Sequence, residues 1–202
     1  MTGRREVWIT GLGAACPLGT ELEAIAEGQR EGRSGAVPLG PEFEGSGFPV
    51  AAACRVPGWD RDLPDLKASF GLHAARAALL DSFGSEVIPA RPERIGLHLA
   101  SGLVSTPVGE VEDELLSCMD AEGRYDHGQA AQRLRTPSPW RARHFTDRLN
   151  HELAARIGLR GPSLVNHGAC AASATAIGIG ARWIERDRCD VVLAGGYESM
   201  IH

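Results

Sequence analysis

Residues 163–196 have the sequence SLVNHGACAASATAIGIGARWIERDRCDVVLAGG, which contains the strongest indication of the fold class. Two short apolar runs, Ser163–Ala169 and Val191–Ala194, are typical of buried strands. Between them, Ala171–Arg186 has the length of a helix, and its Ala, Ile and Gly content predicts burial on nearly all sides. A strand, a helix and a second strand in this order predict a parallel βαβ unit and therefore an α/β fold.

Segments upstream repeat this alternation, which predicts a three-layer architecture with helices on both faces of a parallel sheet. Ala and Leu recur at helical spacing in Leu66–Phe83, and Ile95–Ala100 has the composition of a buried strand. Other predicted elements are a strand at Val7–Gly11, a helix opened by a capping box at Thr20–Glu23, an edge strand at Pro49–Val56, helices at Val108–Met119 and Phe145–Ile157, and a polar surface excursion over Ala121–Arg143.

The composition excludes several classes of protein. The 202 residues include 21 basic and 26 acidic side chains, and the net charge of −5 argues against binding to nucleic acid or to an anionic membrane. With 43% hydrophobic and 23% charged residues, the chain has globular rather than disordered composition. No apolar run is long enough to cross a bilayer, and the apolar N-terminal segment is interpreted as a strand and turn rather than a signal peptide.

The cysteines and histidines form no recognisable metal or disulfide pattern. Five cysteines are an odd number, and no CxxC spacing occurs, so we expect a reduced, cytoplasmic protein. His151-Glu152 lacks the second histidine that an HExxH zinc motif would place at Arg156. The run from Gly11 to Cys16 lacks the third glycine of a dinucleotide-binding fingerprint and is interpreted as a structural turn. No metal or cofactor is therefore expected.

Cys170 differs from the other cysteines because it is predicted to lie where a strand ends and a helix begins. A thiol at that position faces the unpaired N–H groups and the positive end of the helix dipole, which favour a thiolate. Small residues on both sides leave room for a substrate to approach the sulfur. Two interpretations stay open on the residues alone: a nucleophile for covalent catalysis, or a buried cysteine at a helix start.

Five segments carry a resemblance to a known family: GLRGPS (158–163), GACAAS (168–173), DVVLAGGYES (190–199), VWITGLGAACPLG (7–19) and SGL (101–103). Together they resemble the β-ketoacyl-acyl-carrier-protein synthases along the whole chain. The resemblance implies the thiolase-like fold, in which two similar α/β halves pack as a five-layered αβαβα unit. Residues 1–202 would form the N-terminal half, and the C-terminal half would be absent from this chain.

The resemblance also implies roles for individual residues. Cys170 matches the nucleophile that accepts an acyl chain as a thioester, and its backbone N–H would be one oxyanion-hole donor. Leu103 matches an apolar gate on the acyl pocket and is the predicted substrate-binding residue. Gly195 and Gly196 match the turn that closes the last strand of the half, and structural roles are expected for both of them and for Glu198. The substrates of this family are carried on the phosphopantetheine arm of acyl carrier protein, which is therefore an expected partner.

The chain departs from the family pattern around the thiol. Gly168 stands where the family has threonine or another small polar residue, and Asn166 and His167 are unusual in the strand before it. His167 lies three residues before Cys170, so its side chain should point to the opposite face of a strand and not contact the thiol. These departures bear on substrate preference more than on the nucleophile.

The implied function is a decarboxylating Claisen condensation of an acyl thioester with malonyl-carrier protein, in fatty acid or polyketide biosynthesis. The second half of the family supplies two histidines and a lysine for this reaction, so a complementary C-terminal-half polypeptide and a homo- or heterodimer are expected. One alternative is a non-catalytic ketosynthase-like subunit that pairs with an active synthase, as a chain-length factor does. Another is a coenzyme A thiolase, suggested by Glu198-Ser199-Met200 but opposed by the opening Val7–Gly19.

Overall fold

The computed structural model describes residues 5–41, 45, 47, 49–59, 66–102, 108–137 and 145–199. The helices and strands in this part of the chain are α1 (Leu22–Arg30), β1 (Ala36–Pro38), β2 (Ala52–Cys54), α2 (Leu66–Phe83), β3 (Ile95–Ala100), α3 (Val108–Leu116), α4 (His127–Leu134), α5 (Arg148–Ile157), β4 (Ser163–Asn166), α6 (Ala172–Glu185) and β5 (Val191–Gly196). Short 3₁₀ turns lie at Pro92–Arg94 and Ala169–Ala171.

Three parallel strands form the main sheet, in the order β4-β3-β5. Leu97 of β3 lies opposite Ser163 of β4, and Ile95 lies opposite Val191 of β5. All six residues of β3 are buried, as expected for a central strand with helices on both faces. The predicted parallel α/β arrangement is confirmed. A separate antiparallel pair joins β1 to β2, which is a shorter version of the edge strand predicted at Pro49–Val56.

The main core lies between the sheet and the helices α2 and α5. Leu97 and Leu99 of β3 pack with Leu72 of α2 and with Leu149 and Leu153 of α5. These side chains are at most 6% exposed, so this face of the sheet is closed by a continuous apolar layer. Gly71 lets the layer close, because a Cβ there would overlap Leu149 and lie 3.0 Å from Tyr197.

Helix α6 covers the opposite face of the sheet, but only one side of the helix is buried. Ala172, Ala176 and Gly180 are its buried residues. By contrast, Ile177 is 49% exposed, and a Cβ added to Gly178 would meet no described atom within 4 Å. The prediction of burial on nearly all sides is therefore wrong for the chain as described. The sheet covers one side of the helix, and the apolar other side faces away from it.

The segment before α1 does not form the predicted strand at Val7–Gly11. None of residues 5–15 is in a strand, and the side chains of Trp8 and Ile9 are 75% and 76% exposed. The segment runs along α2 instead: the Leu12 N–H donates to the Asp81 carboxylate at 2.9 Å, and glycines allow the close approach of the two backbones. Local β propensity therefore did not decide the conformation of this segment, which contacts a helix instead of pairing with a strand.

Several element boundaries differ from those predicted, while α2 and β3 have the predicted bounds. Helix α1 begins at Leu22, and its N-cap Glu21 makes no side-chain capping bond, so the predicted capping box is not formed. Strand β4 ends at Asn166 rather than Ala169, because the chain turns sharply before α6. Strand β5 continues to Gly196. Across the described ranges no helix is both long and apolar enough to cross a membrane.

Candidate active site at the carboxyl end of the sheet

The carboxyl ends of the three parallel strands bring together three loops that are far apart in sequence. They are the loop that follows Ala100, the loop that follows Asn166 and the loop that follows Gly196. In open parallel α/β sheets, ligands bind at this edge because the loops there are free to carry functional groups. Cys170 lies in the second of these loops.

Cys170 lies in the single 3₁₀ turn that joins β4 to α6, two residues before the helix begins. The turn depends on Ala169, which has φ = 48° in the left-handed region that residues with a Cβ rarely adopt. Such strained residues are typical of functional sites. The side chain of Cys170 is exposed, which argues against its interpretation as a buried cysteine. The predicted position at a strand-to-helix junction is confirmed.

The remaining cysteines do not share this setting. Cys118 and Cys189 are buried, and burial raises the pKa of the Cys189 thiol. Cys16 is partly buried, and Cys54 is exposed in β2, which belongs to the separate two-stranded sheet. Within the described ranges, no group of three or more His, Cys, Asp or Glu side chains is arranged to hold a metal ion.

Asn166 ties the two ends of the turn together. Its Oδ1 accepts the Gly168 N–H at 3.2 Å, and its Nδ2 donates to the Ala172 carbonyl at 3.1 Å. Nδ2 also lies 3.2 Å from Nε2 of His98, a fully buried residue of β3 whose ring stacks on Trp183. His98 was not predicted as a site residue, although it is the single histidine within the apolar strand IGLHLA.

His167 is not positioned to act as a base for Cys170, because its ring contacts other segments. Its Nδ1 lies 2.6 Å from the Ser101 carbonyl, which can only accept, so Nδ1 carries the proton. Its Nε2 lies 3.2 Å from the Thr146 hydroxyl. Both ring nitrogens are therefore engaged with other segments, in agreement with the expectation that this ring does not serve the thiol.

Glu198 and Gly196 make structural contacts around the site, as expected: Glu198 joins two loops, and Gly196 lets a helix pack on a strand. The Glu198 Oε2 atom accepts the Gly102 N–H at 2.7 Å and so joins the loops after β3 and β5. A Cβ at Gly196 would overlap the Ser173 hydroxyl, so a glycine lets α6 pack closely on β5. Gly195 also lies in β5, within the strand rather than in a turn. The predicted substrate-binding residue Leu103 lies outside the described residues.

Acidification from about pH 7 to pH 5 is expected to destabilise the fold through His98. Burial lowers the pKa of His98 below its ordinary 6.5, so the unfolded chain binds a proton that the folded chain does not. This contribution to stability is complete above pH 6.5 and is lost as the pH falls from 6.5 towards the lowered pKa. Urea unfolding at both pH values should show that the free energy of unfolding falls more on acidification in wild type than in His98→Gln. Equal pH dependence in the two proteins would contradict this expectation.

Comparisons with known proteins match this architecture. Residues 65–202 match the family model described as the β-ketoacyl synthase N-terminal domain. The 3-oxoacyl-[acyl-carrier-protein] synthase 2 of Coxiella burnetii is 29% identical over 96% of this chain, which corresponds to 46% of that protein. The chain thus spans about half the length of the curated relatives it matches.

Two solved ketosynthase structures have the same fold. One is a type II polyketide ketosynthase in complex with its acyl-carrier protein and bound to the hexaketide; it superposes with a TM-score of 0.73 and 22% identity, covering 99% of this chain and 47% of its own. The other is the ishigamide ketosynthase/chain length factor, with a TM-score of 0.68 and 26% identity, covering 96% of this chain and 47% of its own. The predicted thiolase-like α/β fold is confirmed.

Proposed function

Because the chain belongs to the β-ketoacyl synthase family, we propose that it is the nucleophile-bearing half of a ketosynthase, in which Cys170 accepts the acyl chain. The observation that carries this proposal is an exposed thiol on a strained turn, at the edge of a parallel sheet and directly before a helix. In that position a nucleophile is held on rigid elements while remaining open to a substrate.

The chemistry begins with a thioester exchange. The Cys170 thiolate, which has released its proton to solvent, attacks the carbonyl carbon of an acyl thioester on the carrier protein. The carbon–sulfur bond to the carrier breaks, and the carrier sulfur leaves as a thiolate that takes up a proton from solvent. The backbone N–H of Cys170 is suited to stabilise the oxyanion of the tetrahedral intermediate. Malonyl-carrier protein then loses carbon dioxide, and the resulting carbanion attacks the new thioester, which releases Cys170 and forms the β-ketoacyl product.

Decarboxylation is assigned to a complementary C-terminal half. His98 and His167 lie near the turn, but their rings bond to other groups and are not available to the malonyl unit. His98 contacts Asn166, and His167 contacts Ser101 and Thr146. A second α/β half would also cover the exposed apolar side of α6, as the five-layered arrangement requires. We therefore assign residues 1–202 to the N-terminal half of a dimeric synthase that acts on substrates carried by acyl carrier protein and needs no other cofactor.

Leu103 is proposed as the apolar gate on the acyl pocket, on the basis of its match to the family motif. It directly follows Gly102, whose N–H is held by Glu198 at the same edge of the sheet as Cys170. Gly102 lies next to the thiol-bearing turn, since a Cβ on it would be 3.6 Å from the Ala169 Cα, and this nearness supports the proposed gate.

The proposal is tested by looking for the acyl-enzyme. When the chain, its C-terminal half and an acylated carrier protein are mixed, peptide mass spectrometry should find the acyl group on Cys170, and hydroxylamine should remove it as expected for a thioester. Cys54 is exposed too and serves as the internal control. Carrier-protein binding without an adduct at Cys170 would instead favour a non-catalytic, chain-length-factor-like subunit.

A further inference from the structure

The turn that carries Cys170 is held by a side chain in addition to its own backbone bond, in which the Ala171 N–H donates to the Gly168 carbonyl at 3.2 Å. No side chain caps the first turn of α6, and the turn itself contains the left-handed residue Ala169. Asn166 instead reaches across the turn and bonds to the backbone on both sides of Cys170, at Gly168 and Ala172. A strained conformation persists only where its surroundings hold it, and this side chain holds both ends.

The two backbone contacts determine how the Asn166 amide is oriented. The Gly168 N–H needs an acceptor and the Ala172 carbonyl needs a donor, so the oxygen faces Gly168 and the NH₂ group faces Ala172. The second hydrogen of that NH₂ group is then directed at Nε2 of His98, 3.2 Å away. Nε2 must therefore accept, which requires a neutral imidazole with its proton on Nδ1.

The surroundings of His98 favour this neutral form. The ring is fully buried in the central strand β3 and stacks on Trp183 of α6 at 5.6 Å between ring centres. Burial disfavours the charged imidazolium and lowers the pKa of the group. An imidazolium would also set an N–H against the amide NH₂ group, so the contact needs the buried, uncharged ring.

We propose that Asn166 is a positioning residue that holds Cys170 at the start of α6, and that His98 fixes the Asn166 amide in the orientation this requires. The inference rests on the proposed function only in giving Cys170 a catalytic role. Without the Asn166 contacts, Ala169 can leave its left-handed conformation, and the sulfur is no longer held at the helix end whose free N–H groups favour an anion.

The test measures iodoacetamide labelling of Cys170 relative to Cys54 in the same sample of the full 202-residue chain, assembled with its C-terminal half. Asn166→Ala should lower this labelling ratio about 3- to 5-fold, the upper part of the range expected for losing an exposed helix-terminus interaction. His98→Leu should lower it in the same direction, since Asn166 then loses its buried acceptor. His98→Gln, whose amide oxygen can accept in place of Nε2, should keep the ratio within about twofold of wild type.

Asn150→Ala is the matched control. Asn150 is a buried asparagine that also bonds to β4, donating to Ser163 and to the Leu164 carbonyl, but it does not touch the turn. Its replacement should lower thermal stability and leave the labelling ratio unchanged. Equal ratios for Asn166→Ala and Asn150→Ala would overturn the proposal. If Asn166→Ala does not fold, equal ratios for His98→Leu and His98→Gln would overturn it.

Alkylation requires no acyl substrate, so this result is separate from the test of the proposed function. A lowered ratio in Asn166→Ala together with an unacylated wild-type Cys170 would retain the positioning role and reject the ketosynthase role. An acylated wild-type Cys170 with an unchanged ratio in Asn166→Ala would do the reverse.

Discussion

Replacing Cys170 with alanine is expected to lower the rate of the proposed condensation by at least about 10³-fold, because the proposed covalent intermediate forms on its sulfur. The change removes only the sulfur, and the side chain is exposed, so the fold should be retained. The measurement is product formation from an acylated and a malonylated carrier protein, with the chain assembled with the proposed complementary C-terminal half.

Cys54→Ala is the matched control for this experiment. Cys54 is also exposed but lies in β2, outside the main sheet, so its loss should leave the rate unchanged within about twofold. Condensation by Cys170→Ala at a rate near that of Cys54→Ala would show that Cys170 is not the nucleophile.

Truncating Leu72 to alanine is expected to destabilise the chain by about 2–5 kcal/mol, the usual cost of removing a large side chain from a closed core. Leu72 is 0% exposed and packs in the layer between α2, α5 and the sheet. Gly71 lets Leu149 of α5 pack closely beside this site. The surrounding side chains are therefore already in contact and cannot move far enough to fill the cavity. Urea unfolding monitored by circular dichroism gives the loss in the free energy of unfolding.

Leu80→Ala on the same helix provides the comparison. Leu80 is 50% exposed, so the same truncation should cost less than about 1 kcal/mol. Similar losses for the two variants would mean that α2 does not present its Leu72 side to the sheet.

Elements whose apolar pattern lies within one continuous stretch of sequence could be predicted from the sequence. Helix α2 and strand β3 have the predicted bounds because the apolar pattern of each is followed by a small or polar residue, Gly84 after α2 and Ser101 after β3. The junction at Cys170 could also be predicted, since the glycine and alanines that permit the turn are adjacent to it in the sequence. The same residues carried the resemblance to the synthase family.

Contacts between distant segments were decided only by the tertiary structure. The β-rich run Val7–Gly11 lies along α2. Its contacts there are with residues about 70 positions away in the sequence, so local β propensity could not predict them. An apolar helix such as α6 has the same sequence pattern whether one side or all sides are covered, so its half-burial depended on what packs against it. His98 and Asn166 are 68 residues apart and meet because β3 and β4 pair in parallel, which no local pattern around either residue specifies.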